Sequence, residues 1–258
     1  MQSVINIYKP VGATPLDMIK LFQKRFPEYK DVKLGYAGRL DPMAEGLLLV
    51  LAGDENKKRK DFEKLPKTYE FEIIFGISTD SYDLLGKIVE FKHEELSSDF
   101  EMGLNKVLSE LIGKFNHPYP PYSSARVNGK PLFYWAREGK IKDIQIPQKE
   151  IEIYESRLLG IYYLNSVNLR KTVEEKIGKI HGEFRQKEIL KDWKEFFEKY
   201  PDGIFTVATC RINCSSGTYI RSIANEIGKK LNFPACAFSI KRIAVGKYKL
   251  KDSLFFKK

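Results

Sequence analysis

At 258 residues, 43% hydrophobic and 13% aromatic, the chain can bury a substantial core and is too apolar to stay disordered. Its 44 Lys and Arg against 34 Asp and Glu leave a net charge of +10, which favours an anionic partner, nucleic acid first. Cys210, Cys214 and Cys236, with no CxxC, argue against a disulfide framework or zinc site. With no signal-peptide pattern in MQSVINIYKP and no apolar run of about 18 residues, a soluble protein of the reducing cytoplasm is expected.

Thr14 followed by Pro15 is a helix start, and Met18, Leu21, Phe22 and Phe26 recur at helical spacing, so an amphipathic helix is expected over 14–26. A basic turn and the loop Gly35 to Gly46 follow, closed by the apolar run Leu47 to Ala52, a buried strand or helix segment. Tyr69 to Phe75 alternates as a strand, STDSYDLLG turns, and Lys87 to Phe91 returns, which predicts a hairpin. Ser98 with Glu101 makes a capping-box pattern ahead of a helix whose Phe100, Leu104, Val107, Leu108 and Leu111 form one stripe, expected to pack on the sheet.

Pro118, Pro120 and Pro121 exclude helix and predict an extended surface loop, with a helix from Leu132 to Glu138 after it. Between Asn165 and Pro201 Lys and Glu are dense, with helical character over Ile189 to Tyr200. This part is expected to be a solvated insertion ahead of a strand over Phe205 to Cys214. SSGTY then precedes a helix with Ile220, Ile223, Ile227 and Leu231 facing inward, and KRIAVGKYKL is strand-like. One mixed domain over 1–258 is expected, with a peripheral insertion at about 165–201.

The stretch GYAGRLDPMAEG, Gly35 to Gly46, is the most informative. Three glycines and Pro42 impose an irregular backbone around one carboxylate, Asp41, and one guanidinium, Arg39, and such loops commonly hold functional groups. Judged by spacing alone, an Asp-Pro turn is the stronger reading, since Asp favours turns.

With its neighbours included, this stretch resembles the GHTGxLDPxAxG signature of the TruB family of tRNA pseudouridine synthases, and Lys9-Pro10-Val11-Gly12 resembles the family's KPxG. Lys67-Thr68-Tyr69, and Thr79-Asp80 with Asp83, look like its K-x-Y strand and TDxxD turn. Tyr122-Ser123-Ser124-Ala125 with Gly129-Lys130, Tyr134, Ala136 and Arg137 is similar to YSAxKxxGxxxYxxAR. Cys214 to Arg221 resembles CSxGTYIR, and Lys241 to Gly246 resembles LRRxxVG. These motifs in family order are a far more specific signal than any one of them.

The resemblance implies an α+β pseudouridine synthase fold, a mixed and largely antiparallel sheet flanked by helices and loops. It also implies isomerisation of uridine to pseudouridine in tRNA, at position 55 of the T-loop. That reaction breaks the N1–C1′ bond, rotates the held base and joins C5 to C1′, so no cofactor and no metal are needed. The scattered His93, His117 and His181 match no metal spacing.

Asp41 is implied as nucleophile, at C1′ or at C6 of the base, with Arg221 as its salt-bridge partner and Tyr69 as the stacking residue that also assists loss of the C5 proton. Tyr219 and Ile240 match positions lining the uracil pocket, Ile240 in place of the usual Leu. The base must be flipped out of its stack, and Tyr36 stands where the family has a wedge histidine. Lys9, Arg39, Arg126, Lys130 and Arg137 are candidate phosphate contacts.

Bacterial members usually carry a further PUA-like domain that this sequence is not expected to include, and the guide-dependent relatives generally have a full PUA domain, so a stand-alone enzyme is expected, and a monomer. The competing reading is a non-catalytic RNA-binding or RNA-chaperone protein that keeps the fold, prompted by Tyr36 and Ala37. A carboxylate glycosidase would need a second positioned acid and gains nothing from the basic charge.

Overall fold

The computed structural model describes residues 2–94 and 96–256. In chain order it runs β1 (Val4–Lys9), α1 (Pro15–Arg25), β2 (Leu34–Ala37), β3 (Ala44–Ala52), α2 (Arg59–Lys64), β4 (Lys67–Phe75), β5 (Ile77–Thr79), β6 (Ile88–Phe91), α3 (Phe100–Glu110) and β7 (Gly113–Pro118). It continues with β8 (Arg126–Val127), β9 (Lys130–Pro131), α4 (Leu132–Arg137), β10 (Gln148–Asn165), α5 (Ser166–Gly178), α6 (Gln186–Lys199), β11 (Ile204–Cys214), α7 (Ile220–Lys230), β12 (Ala235–Val245) and β13 (Tyr248–Lys249).

The main sheet has the order β1-β3-β12-β4-β11-β10-β7, with β2 added to β3 and β13 to β12. Among the described residues only β12 against β3 is parallel; every other pair in the sheet is antiparallel. This is the mixed, largely antiparallel sheet that the resemblance implied.

Alternation along the strands divides the core between the two faces. On β4, Phe71, Ile73 and Phe75 join the cluster under α3 and α7, whereas Ile74 belongs to the cluster under α5 and α6. On β12, Ala235, Ala237 and Ile240 face the first side, and Cys236 and Phe238 the second. The apolar run Leu47 to Ala52 is strand, with Leu48 and Val50 under α1 and Leu47, Leu49 and Leu51 on the opposite face with Val245.

Local signals placed several elements well. Thr14 caps α1, accepting from Asp17 N at 3.1 Å while Asp17 Oδ2 accepts from Thr14 N at 2.8 Å. Of the expected inward side chains, however, Leu21 is exposed and Ile19 takes the buried place. The capping box at Ser98 and Glu101 does not form: Asp99 is the N-cap of α3 and makes no side-chain cap bond. The stripe of that helix still packs as expected.

Two tertiary expectations need correction. The strand over Tyr69 to Phe75 does not pair with the returning strand, because β4 lies between β11 and β12; the hairpin is β5 with β6 instead.

The segment over about 165–201 is not a solvated appendage. Leu169, Val173 and Ile177 of α5, and Ile189, Trp193, Phe196 and Phe197 of α6, are buried against Ile74, Val207 and Phe238. Except for Lys176, whose Nζ turns inward to Phe238 O at 2.7 Å, Lys and Glu occupy the outward faces of these helices, which together cover one side of the sheet.

Candidate active site

Asp41 lies on the connection between β2 and β3, at the floor of a cleft of about 760 Å³. Ala44 N donates to Asp41 O at 3.1 Å, and Gly12 N to Pro42 O at 2.9 Å, tying the loop to itself and to the KPVG segment. Gly46 is required where β3 meets β12: its φ is +113°, and a Cβ there would stand 2.3 Å from Arg242 O.

Arg221, on the first turn of α7, brings its Nε to Asp41 Oδ2 at 2.8 Å. Its NH1 donates to Ser81 O at 2.7 Å and its NH2 to Tyr122 O at 3.2 Å, while Asp83 Oδ2 stands 3.5 Å from Nε. Burial opposes the charge on Arg221, but Asp41 and Asp83 outweigh it and its pKa is raised. Burial likewise pushes the Asp83 carboxyl up, against the pull of Arg221 and of the Ser81 hydroxyl at 2.7 Å. Arg221 is thus held from four sides, and of its two carboxylate partners Asp41 is the one partly open to solvent, its side chain 33% exposed against 7% for Asp83.

Tyr69, on β4 beside Arg242 of β12, lines the same cleft; burial raises its pKa, so the phenol is protonated at neutral pH. Tyr219 and Ile240 are also in the wall. Tyr219 packs edge-on to Tyr119 with centroids 5.7 Å apart, and burial pushes its hydroxyl up to about 12. Arg39 and Arg137 line the rim, Arg39 donating to Ser124 Oγ at 3.4 Å.

Other expected residues fall elsewhere. Lys9 is fully buried, its Nζ bonded to Ala44 O at 2.6 Å and Pro10 O at 3.1 Å, so it braces the loop and is not placed to meet a phosphate. Tyr36 is outside the cleft lining. It packs with the α1 core and under the Arg59 guanidinium at 5.3 Å, because the pleat of β2 sends it to the face opposite Ala37. Arg126, also outside the lining, bonds Gly129 O at 2.7 Å, and Lys130 bonds the Tyr134 hydroxyl at 2.9 Å.

The structure adds residues for which no role was expected. Arg242 is buried behind Tyr69, donating to Leu47 O at 2.8 Å and Gly38 O at 3.0 Å. A lone arginine inside the buried, alternating β12 was the available signal. Lys67, whose pKa burial lowers to about 8, and Lys149, bonded to Ser216 O at 2.9 Å, also line the cleft. Nine basic side chains border it against three acidic ones, a balance suited to a polyanion with the one half-open carboxylate at its floor.

Residues 24–178 match the model described as TruB family pseudouridylate synthase (N terminal domain). The chain is 30% identical over 256 residues to tRNA pseudouridine synthase B of Bacillus cereus, covering 99% of this chain and 70% of that protein. It is 31% identical to the protein of the same name from Oceanobacillus iheyensis (99% and 69%), and 28% identical to that from Aquifex aeolicus (98% and 72%). This chain therefore belongs to the TruB family.

Among solved structures, a Cbf5-Nop10-Gar1 complex contains a chain of the same fold, with a TM-score of 0.58 at 17% identity, over 98% of this chain. An H/ACA RNP bound to a substrate RNA containing 2′-deoxyuridine gives a TM-score of 0.55 at the same identity, also over 98% of this chain. The present chain spans about half the length of these two, 52% and 50%.

Proposed function

We propose that this chain isomerises uridine to pseudouridine in tRNA, at position 55 of the T-loop, with Asp41 as nucleophile. The observation that carries the proposal is the Arg221 to Asp41 contact of 2.8 Å in a cleft whose charged lining residues are mainly cations. Arg221 engages Oδ2, which leaves Oδ1 to attack C1′ or C6 of a flipped base; the N1–C1′ bond breaks, the base turns, C5 joins C1′, the bond to Oδ1 breaks to free the carboxylate, and the C5 proton is lost as N1 gains one.

Tyr69 and Tyr219 supply faces for stacking, and Ile240 an apolar wall. Because the Tyr69 phenol is protonated at neutral pH, stacking and hydrogen-bond donation suit it better than acting as a resident base. Arg39 at the rim is suited to the flanking phosphates. One continuous sheet supports a single catalytic domain, and three buried free cysteines suit a cytoplasmic protein, which we read as a monomer.

The test is incubation of the protein, beside Asp41→Asn, with an unmodified tRNA transcript, followed by position-resolved pseudouridine mapping. Product at position 55 from the wild type alone is expected. Tight tRNA binding with no product from either would replace this reading with a non-catalytic RNA binder.

A further inference from the structure

The loop between α5 and α6 reaches the mouth of the cleft, where Phe184 and Arg185 are part of the lining. Arg185 grips Asp80 with two nitrogens, NH1 to Oδ2 at 2.9 Å and NH2 to Oδ1 at 3.2 Å. Tyr122 donates its hydroxyl to the same Oδ2 at 3.0 Å, and the Arg185 guanidinium lies 4.2 Å over the Tyr122 ring. The backbone carbonyl of Tyr122 in turn accepts from Arg221, the arginine that orients Asp41. A continuous set of contacts therefore runs from the helical pair to the reactive carboxylate.

The pair is built to hold. Side chains of Arg185 and Asp80 are only 17% and 24% exposed, so their two-pronged, charge-assisted bond is less screened than a surface ion pair. The loop is fixed at three other points. His181 N donates to Gly12 O at 3.1 Å, Arg137 donates to Glu183 O at 3.0 Å, and a Cβ on Gly12 would stand 2.0 Å from Lys179 O. Arg185 itself has φ +63°, a left-handed conformation that a non-glycine residue keeps only where its surroundings enforce it.

We infer that Arg185 is a positioning residue for the reaction proposed above, and that it clamps Asp80 and Tyr122 so that the Tyr122 carbonyl holds Arg221, and through it Asp41, in reactive geometry. The inference rests on that functional reading. Because the Arg185 charge is already matched by Asp80, a direct phosphate contact is the weaker role for it, and the two roles separate experimentally: a clamp governs rate, a phosphate ligand governs affinity.

The experiment measures single-turnover pseudouridine formation and tRNA Kd for the full chain and for Arg185→Ala, Arg185→Lys, Asp80→Asn and the Arg185→Ala/Asp80→Asn double variant. Expected is a rate loss of about tenfold or more in Arg185→Ala with Kd changed by less than about threefold, part of the rate recovered by lysine, and a double variant no slower than the slower single.

A wild-type rate in Arg185→Ala, a loss confined to Kd, or single losses that multiply in the double variant would each overturn the clamp. Should Arg185→Ala fail to fold, Arg185→Lys and Tyr122→Phe decide the matter: slowed turnover in both supports it, and wild-type turnover in both overturns it. Absence of product from the wild type would instead overturn the functional reading, and the clamp with it. An active wild type matched by its variants overturns the clamp alone.

Discussion

Asp41 and Arg221 stand 180 positions apart in the chain and meet at 2.8 Å. The loop before β3 and the first turn of α7 converge on that contact, and the bonds from Arg221 to the carbonyls of Ser81 and Tyr122 leave its guanidinium one orientation. The carboxylate is aimed by a group that is itself fixed, which is the condition for a reactive geometry that needs no rearrangement when substrate arrives.

Replacing Arg221 by lysine keeps the charge but loses the planar fork that serves Asp41 and two carbonyls at once. Single-turnover pseudouridine formation by Arg221→Lys should fall by about 100-fold, the scale of a misplaced reacting group, with tRNA Kd nearly unchanged. Arg221→Ala should also lose about 3 kcal/mol of stability in urea titrations, because Asp83 would remain buried without its cation. Rates for Arg221→Lys close to wild type would remove its orienting role.

Trp193 tests whether the helices α5 and α6 are structural. Its side chain is 1% exposed, stacks on Phe197 with centroids 5.7 Å apart, and donates from its indole to Gly86 O at 3.2 Å. Trp193→Ala should lower the unfolding free energy by about 3 kcal/mol or more. A loss below about 0.5 kcal/mol, the range of surface substitutions, would mean that the segment is the solvated appendage its composition suggests.

Lys9 should leave a mark on stability against pH. Burial is the largest influence on it and lowers its pKa from 10.5 to about 8, the nearby Asp41 charge offsetting part of that. Below pH 8 the folded and unfolded states both carry the proton; between 8 and 10.5 the unfolded chain holds it and the folded one releases it. Stability from this group therefore rises with pH across that window and is flat on either side. The difference in unfolding free energy between wild type and Lys9→Met should climb from pH 8 to 10.5, and a difference that stays level would contradict the lowered value.

Arg39 stands at the cleft rim, exposed, with one long bond to Ser124 Oγ at 3.4 Å. As a phosphate contact it should contribute about one unit to the slope of log K against log salt for tRNA binding, so Arg39→Ala should flatten that slope by about 1. Filter binding between low and moderate salt measures it. A parallel line would place Arg39 outside the RNA footprint.

Much of this protein is legible without coordinates, for local reasons. Thr14-Pro15 starts α1 because a hydroxyl cap and a fixed φ act within one turn, and Leu47 to Ala52 is buried because no polar residue interrupts it. The loop around Asp41 and the YIR of Arg221 announce themselves by residue type and order, and the basic balance points to a polyanion before any cleft is seen.

Tertiary structure alone decided which surface each segment faces. Periodicity shows that Leu169, Trp193 and Phe197 share an inner side but not what lies against it, so a helical layer of the core looked like charged insertion. The alternation of β4 does not name its neighbours, and β11 and β12, from the far end of the chain, displaced the nearby β6. A lysine's charge does not reveal that Lys9 is closed in, nor does any local pattern around Arg185 point to Asp80, 105 positions away. Hydrophobic pattern and turn chemistry are properties of neighbours in sequence, whereas pairing, burial of charge and the contacts that aim a carboxylate are properties of neighbours in space.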